Sequence, residues 1–157
     1  MLIHRLGIVA FALTFYCLGT TYFEAFVNYR TWAFINAADF PSYHRALTPL
    51  VAKVMLAPIA LYVACLTGLV VWGAPFAPRT PLVASLGLVL VAVASSLSIQ
   101  IPIQRLLDGQ GPSTTLLRRL ITTDLVLRKV PLGLNALLWM GMFWRGSGPR
   151  VAGEARP

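Results

Sequence analysis

Charge is what this chain has least of. Only 11% of its 157 residues are Asp, Glu, Lys or Arg, where a soluble domain carries roughly 25%. Hydrophobic residues make up 57%. That balance excludes an ordinary water-soluble globule and fits one membrane-embedded domain. Acids are scarcest, five against 13 bases, which leaves a formal charge of +8. The bases form no run and lie between apolar segments, so anionic lipid headgroups account for them and nucleic acid does not. Only two cysteines are present, Cys17 and Cys65, both inside apolar stretches and without CxxC or metal-ligand spacing. Buried reduced thiols are the reading. No Walker loop, GxGxxG or GxSxG occurs, which leaves nucleotide and serine-hydrolase chemistry without support.

What the chain does have is long apolar runs. Hydropathy gives four spans, at about 6–27, 51–73, 82–104 and 117–144, each near the roughly 20 residues that cross a bilayer. The expected fold is therefore all-α, a four-transmembrane-helix bundle forming a single domain over residues 1–144. The first run follows a basic residue as a signal peptide does, but bulky aromatics occupy the place of a cleavage site, so a retained helix is expected. "GAPFAPRTP" (73–81) and "LLDGQGPSTT" (106–115) read as tight connections, because proline cannot continue a helix. Between spans one and two, "NYRTWAFINAADFPSYHRALTP" (28–49) is rich in aromatics that favour headgroup depth. An interfacial, partly helical segment is expected there. The tail at 145–157 is rich in Gly, Pro and Arg and reads as disordered.

Four spans place both termini and the 73–81 loop on one side. The 28–49 and 105–116 connections then face the other, with Tyr22, Tyr29, Trp32 and Tyr43 as its aromatic belt. The polar residues gather in that second half. Glu24 and Asn28 end span one, His44 lies in the link, and Lys53 opens span two. Gln100 and Gln104 close span three, and Asp124 and Arg128 lie early in span four. Residues four apart share a helix face. Glu24–Asn28, Ser96–Gln100–Gln104 and Asp124–Arg128 therefore form three stripes whose sensible direction is inward, with Asn135 further along the last one. Lys129, turned about 100° from Arg128, is expected to snorkel to the headgroups. Pro58, Pro102 and Pro131 free the carbonyls of Val54, Ser98 and Leu127 beside these residues. Irregular backbone of that kind is tolerated where it lines a polar cavity.

Several chemistries can be weighed. Haem between two histidines is excluded, because His4 and His44 lie on opposite sides of roughly 30 Å of hydrocarbon. Glu24, His44 and Asp124 could offer three ligands to a metal, but Glu-x-x-His pairs are missing and Arg128 opposes a cation. No metal or other cofactor is expected. An acid–base pocket remains, in which Glu24 or His44 takes a proton and Arg128 with the glutamines stabilises an oxyanion. Glu24, His44, Asp124 and Arg128 are the candidate catalytic residues. Asn28, Tyr43, Lys53, Gln100, Gln104 and Asn135 are the candidate substrate-binding residues.

The segment "IPIQRLLD" (101–108) and Arg128 resemble motifs of the anthrone oxygenase-like small membrane proteins, a four-helix family. Gln104 stands where that family has Asn in a Pro-Thr-Asn-x-x-Leu type of motif. The family's Trp and His on the fourth helix are unmatched, with Ile121 and Leu125 around those positions. The resemblance implies oxygenation of polycyclic phenolics without an obvious cofactor. It does not itself supply the missing histidine, for which His44 in the link is the candidate replacement. The expected function is thus a small membrane enzyme, oxygenase-like or acid–base, acting on a lipophilic oxygen-bearing molecule. The alternatives are a lipid- or quinone-binding subunit of a larger complex and a proton or solute carrier, and the nearly apolar termini-side half counts against the carrier. The expected partners are the bilayer and a lipophilic ligand, with a homo-oligomer as a further candidate. Arg5, Arg79, Arg145, Arg150 and Arg156 flank the termini side. By the positive-inside rule, that favours cytoplasmic termini, and the expected location is a bacterial inner membrane.

Overall fold

Four long helices, with no strand among the described residues, make up the computed structural model of the chain, which describes residues 1–146. They are α1 (Leu2–Phe34), α2 (Phe40–Trp72), α3 (Arg79–Gln110) and α4 (Thr114–Trp144), each long and apolar enough to cross a membrane. That supports an integral membrane protein. The expected tail lies outside the described residues apart from the helical 145–146. Neighbours in sequence are neighbours in space, and α4 closes the ring against α1. Large side chains such as Ile8, Leu61, Val71, Leu97 and Leu137 face outward, as an apolar solvent requires. The most enclosed helix is α4, with 44% of its most apolar window buried against 22% in α1.

The helices overrun the expected spans on one side. The 28–49 link is helical except for the turn at residues 35–39, so α1 and α2 continue through it as a hairpin. Phe40–Val51 carries Pro41 in its first turn, where a missing N–H costs nothing. Tyr29 and Trp32, expected in an exposed belt, are fully buried in a core with Phe40, Ile103, Leu107 and Leu120. A second core at the termini end joins Ala10, Leu66, Leu69, Leu82, Val89 and Leu132.

Glycine closes both ends. At the far side Gly111 has φ +75°, and a Cβ there would come within 2.9 Å of the Ala37 Cβ, so the two far turns touch backbone to backbone. At the termini side the Phe76 ring lies over Gly7, 2.4 Å from where a Cβ would stand.

Between the two cores, each helix makes one π turn: Glu24–Asn28, Ala52–Leu56, Ser96–Gln100 and Leu125–Lys129. Three of these end two residues before Pro58, Pro102 and Pro131. The cause is local. Proline lacks the N–H that would continue the α register, and the residue before it reaches one carbonyl further back. Ala57 bonds Ala52 O, Ile101 bonds Ser96 O, and Val130 bonds Leu125 O. Two of the carbonyls that the prolines free are satisfied by side chains. Tyr16 donates to Val54 O at 3.1 Å, and Ser95 donates to Leu127 O at 3.2 Å.

Candidate functional site

The π turns of α1 and α4 hold Glu24, Arg128 and Lys129, all buried beside Asp124. Arg128 is the hub. Its Nη1 donates to Glu24 Oε2 at 3.1 Å and lies 2.9 Å from Asp124 Oδ1, an ion pair not aligned as a hydrogen bond. The Asp124 Oδ2 is held by Lys129 Nζ. All four residues are buried, Asp124 completely and Lys129 to 2% exposure. The expectation that Lys129 snorkels is therefore overturned, and the reason is the π turn. In that register residues five apart lie one above the other as residues four apart do in an α-helix, so Asp124 meets Lys129 as well as Arg128. Two acids and two bases cancel, which is the condition under which buried charges are tolerated.

Beside this network a cleft of about 290 Å³ opens between α2 and α3. Glu24, His44, Gln100, Gln104 and Arg128 line it, whereas Asp124 stands behind Arg128. Five of the ten candidate site residues thus reach one cavity. Leu56, half exposed, and Ile101 are among its apolar lining residues.

His44 is 5% exposed, stacked on Phe40 with ring centroids 5.5 Å apart and edge-on to Trp32 at 5.0 Å. Its Nδ1 meets Asp108 Oδ1 at 2.6 Å. That contact presents the other nitrogen, Nε2, as a proton acceptor when the ring is neutral. Tyr29 links the wall to the hub: its hydroxyl accepts from Gln104 Nε2 at 3.3 Å and from Arg128 Nη1 at 3.4 Å.

Besides Asp124 Oδ1, which has its ion pair with Arg128 but no hydrogen bond, two groups break the rule that buried polar atoms are paired. Gln100 is 1% exposed, yet neither its amide oxygen nor its amide nitrogen has a partner among the described residues. The indole N–H of Trp32 is likewise unmet among them. Both side chains line the cleft.

Four expected binding residues lie elsewhere. Lys53 and Tyr43 are exposed, Asn28 is half buried, and none of the three lines the cleft. Asn135 belongs to a different site nearer the termini. There it donates to Tyr62 Oη at 2.7 Å and accepts from Ser85 at 2.5 Å. Trp139 donates to Ser85 at 3.1 Å, and Thr14 donates to Tyr62 at 2.7 Å. The termini-side half is therefore not nearly apolar, as the hydropathy suggested. It holds a polar clasp that joins all four helices.

The sequence reading missed Tyr29, Trp32, Asp108 and Lys129 as parts of the site. Asp108 had a signal, since it extends the Ser96–Gln100–Gln104 stripe by one more step of four. Tyr29 and Lys129 lie five residues beyond Glu24 and Asp124, a spacing that points inward only once the π turns are known. No group of three His, Cys, Asp or Glu residues among the described residues is placed to hold a metal. Of the trio offered for one, Glu24 and Asp124 engage Arg128 and His44 engages Asp108. No protein-family model, curated protein or solved structure matches the chain.

Proposed function

We propose that this chain is a small membrane enzyme that takes a lipophilic, oxygen-bearing substrate from one leaflet into the α2–α3 cleft. The observation that carries the reading is Gln100, which lines this cavity and whose buried amide meets no partner among the described residues. Leaving such a group unmet costs roughly 1–3 kcal/mol, and a ligand oxygen or hydroxyl is what would recover it. A volume of about 290 Å³ lies at the lower end of ligand pockets, roughly 300–1,000 Å³. It suits a headgroup whose tail remains among lipid chains. His44, aligned by Asp108, is the proton acceptor in this reading, and Arg128 is the cation nearest a developing negative charge. The resemblance to the anthrone oxygenase-like proteins would make the reaction an oxygenation, with His44 in place of the missing fourth-helix histidine.

The second reading is a non-catalytic lipid- or quinone-binding subunit. The closed Glu24–Arg128–Asp124–Lys129 network favours it, because those charges are already spent on one another. The first test is mass spectrometry of the organic material that co-purifies with the detergent-solubilised protein. Wild type should carry a stoichiometric lipophile and Gln100→Leu should lose it. Equal and trivial retention by both would return the cleft to a packing defect. Turnover of the identified lipophile, with oxygen consumption followed alongside, separates the enzyme from the subunit.

A further inference from the structure

The two long walls of the cleft narrow its ligand, a step that rests on the cleft being a lipophile site. The lining runs from His44 to Leu56 along α2 and from Ser96 to Asp108 along α3. A rise of about 1.5 Å per residue makes each wall roughly 18 Å long. The helices are antiparallel, and the His44–Asp108 contact joins them at the far end. Towards the other end α2 contributes Val51, Ala52, Met55 and Leu56, and no charge. Such a wall, polar at one end and apolar at the other, matches an amphiphile lying along it.

Depth says which end is wet. The helices α2 and α3 hold 33 and 32 residues, about 50 Å of helix against roughly 30 Å of hydrocarbon. Their apolar spans begin at about residue 51 and end at about 104. His44, Arg105 and Asp108 therefore fall on the headgroup side of that edge. Arg30, Arg45, Arg118 and Arg119 are exposed at the same end, with Asp39 as the exposed acid there. That surplus of positive charge draws anions.

Pairing then singles out one base. Glu24 is bonded to Arg128, and Asp108 meets His44. Arg105 is exposed, lines the cleft, and has no ion pair or hydrogen bond among the described residues. Asp108, three residues on along the same helix, is turned to His44 instead. A guanidinium fits a carboxylate with two parallel hydrogen bonds. One unpaired cation balances one negative charge, which a carboxylate carries and a phosphate monoester exceeds.

We infer that the cleft takes a long-chain carboxylate, its head on Arg105 and its chain following Val51, Met55 and Leu56 towards the middle of the bilayer. Gln100 lies about 7 Å deeper than Arg105 along α3. The oxygen that would meet its amide therefore belongs to the chain and not to the head.

The experiment uses the full-length protein in phosphatidylcholine nanodiscs and hexadecanoic acid carrying a mid-chain diazirine, at a mildly alkaline pH that keeps the acid ionised. Photolysis followed by peptide mass spectrometry reads where the probe sits and how much is bound. Labelling of wild type should saturate and fall on residues 47–56 of α2. Unlabelled hexadecanoic acid should compete at least about tenfold better than hexadecanol or the methyl ester, the worth of a charge-assisted hydrogen bond. It should also compete better than hexadecyl phosphate, and hexadecyltrimethylammonium should compete least. Arg105→Gln should reduce the acid to the alcohol's level and leave the alcohol unchanged, while Arg105→Lys should keep part of the preference. Arg118→Gln removes an exposed base of the same end that does not line the cleft, and should keep all of it. Melting temperatures confirm that the variants are folded. An alcohol that competes as well as the acid, a phosphate that competes better, or an equal loss in Arg118→Gln would each overturn the assignment. Absence of saturable labelling in the cleft would remove the lipophile site itself, and the assignment with it.

Discussion

The two halves of this bundle use similar polar residues to opposite ends. In the termini-side half, Thr14, Tyr62, Ser85, Asn135 and Trp139 come from all four helices and bond one another in a closed set. In the far half, Tyr29, Gln100, Gln104, Trp32 and His44 stand among charges, and two of them leave polar atoms unmet among the described residues. The named residues of both halves are mostly buried. A satisfied network there is glue between helices. An unsatisfied one is a standing cost, which the proposed ligand would recover. The π turns lie at the depth of the unsatisfied set, in keeping with the tendency of such turns to mark functional positions.

That contrast can be broken most severely at Arg128. Replacing it with Met strands Glu24 and leaves Asp124 to Lys129 alone, and should cost on the order of 3–5 kcal/mol. Thermal unfolding in detergent is the measurement. The double variant Glu24→Gln with Arg128→Met keeps the Asp124–Lys129 pair and should regain most of that loss. A double variant as unstable as the sum of its parts would show that the two residues act through separate partners.

The clasp should yield next. Tyr62→Phe and Asn135→Leu each leave buried partners unmet, at roughly 1–3 kcal/mol apiece. Their combined loss should be smaller than the sum, because the two share a hydrogen bond. Ligand retention in the cleft should be unaffected, which separates this half from the other.

Gln100→Leu sharpens the comparison from the opposite direction. It removes a group already unmet, so the unliganded protein should melt no lower than wild type and up to about 1–3 kcal/mol more stably. A clear destabilisation would mean that the amide has a structural partner after all, and the two halves would then be alike. The smallest effects are expected at Lys53→Ala and Tyr43→Phe. Both side chains are exposed and away from the cleft, so stability should change by no more than about 0.5 kcal/mol and ligand retention not at all.

Much of this was legible in the chain itself. Four apolar runs of bilayer length determined the helices and their up-and-down order, because burying a backbone in hydrocarbon leaves a single chain few alternatives to a helix. Distance along each helix also gave depth, so Glu24, Gln100, Asp124 and Arg128 could be placed at one level before any coordinates. The three prolines marked where the backbone would depart from the α register, and two of the carbonyls they free have found donors. What depth could not give was rotation. An α-helical period sent Lys129 to the headgroups and set Asn135 in line with Arg128. One π turn in α4 resets the period between Asp124 and Val130 and draws Lys129 inward. Only the packed bundle decided which faces meet, because a partner is chosen by proximity across helices. Asn135 found Tyr62 and Ser85, His44 found Asp108, and Gln100 found no side chain among the described residues.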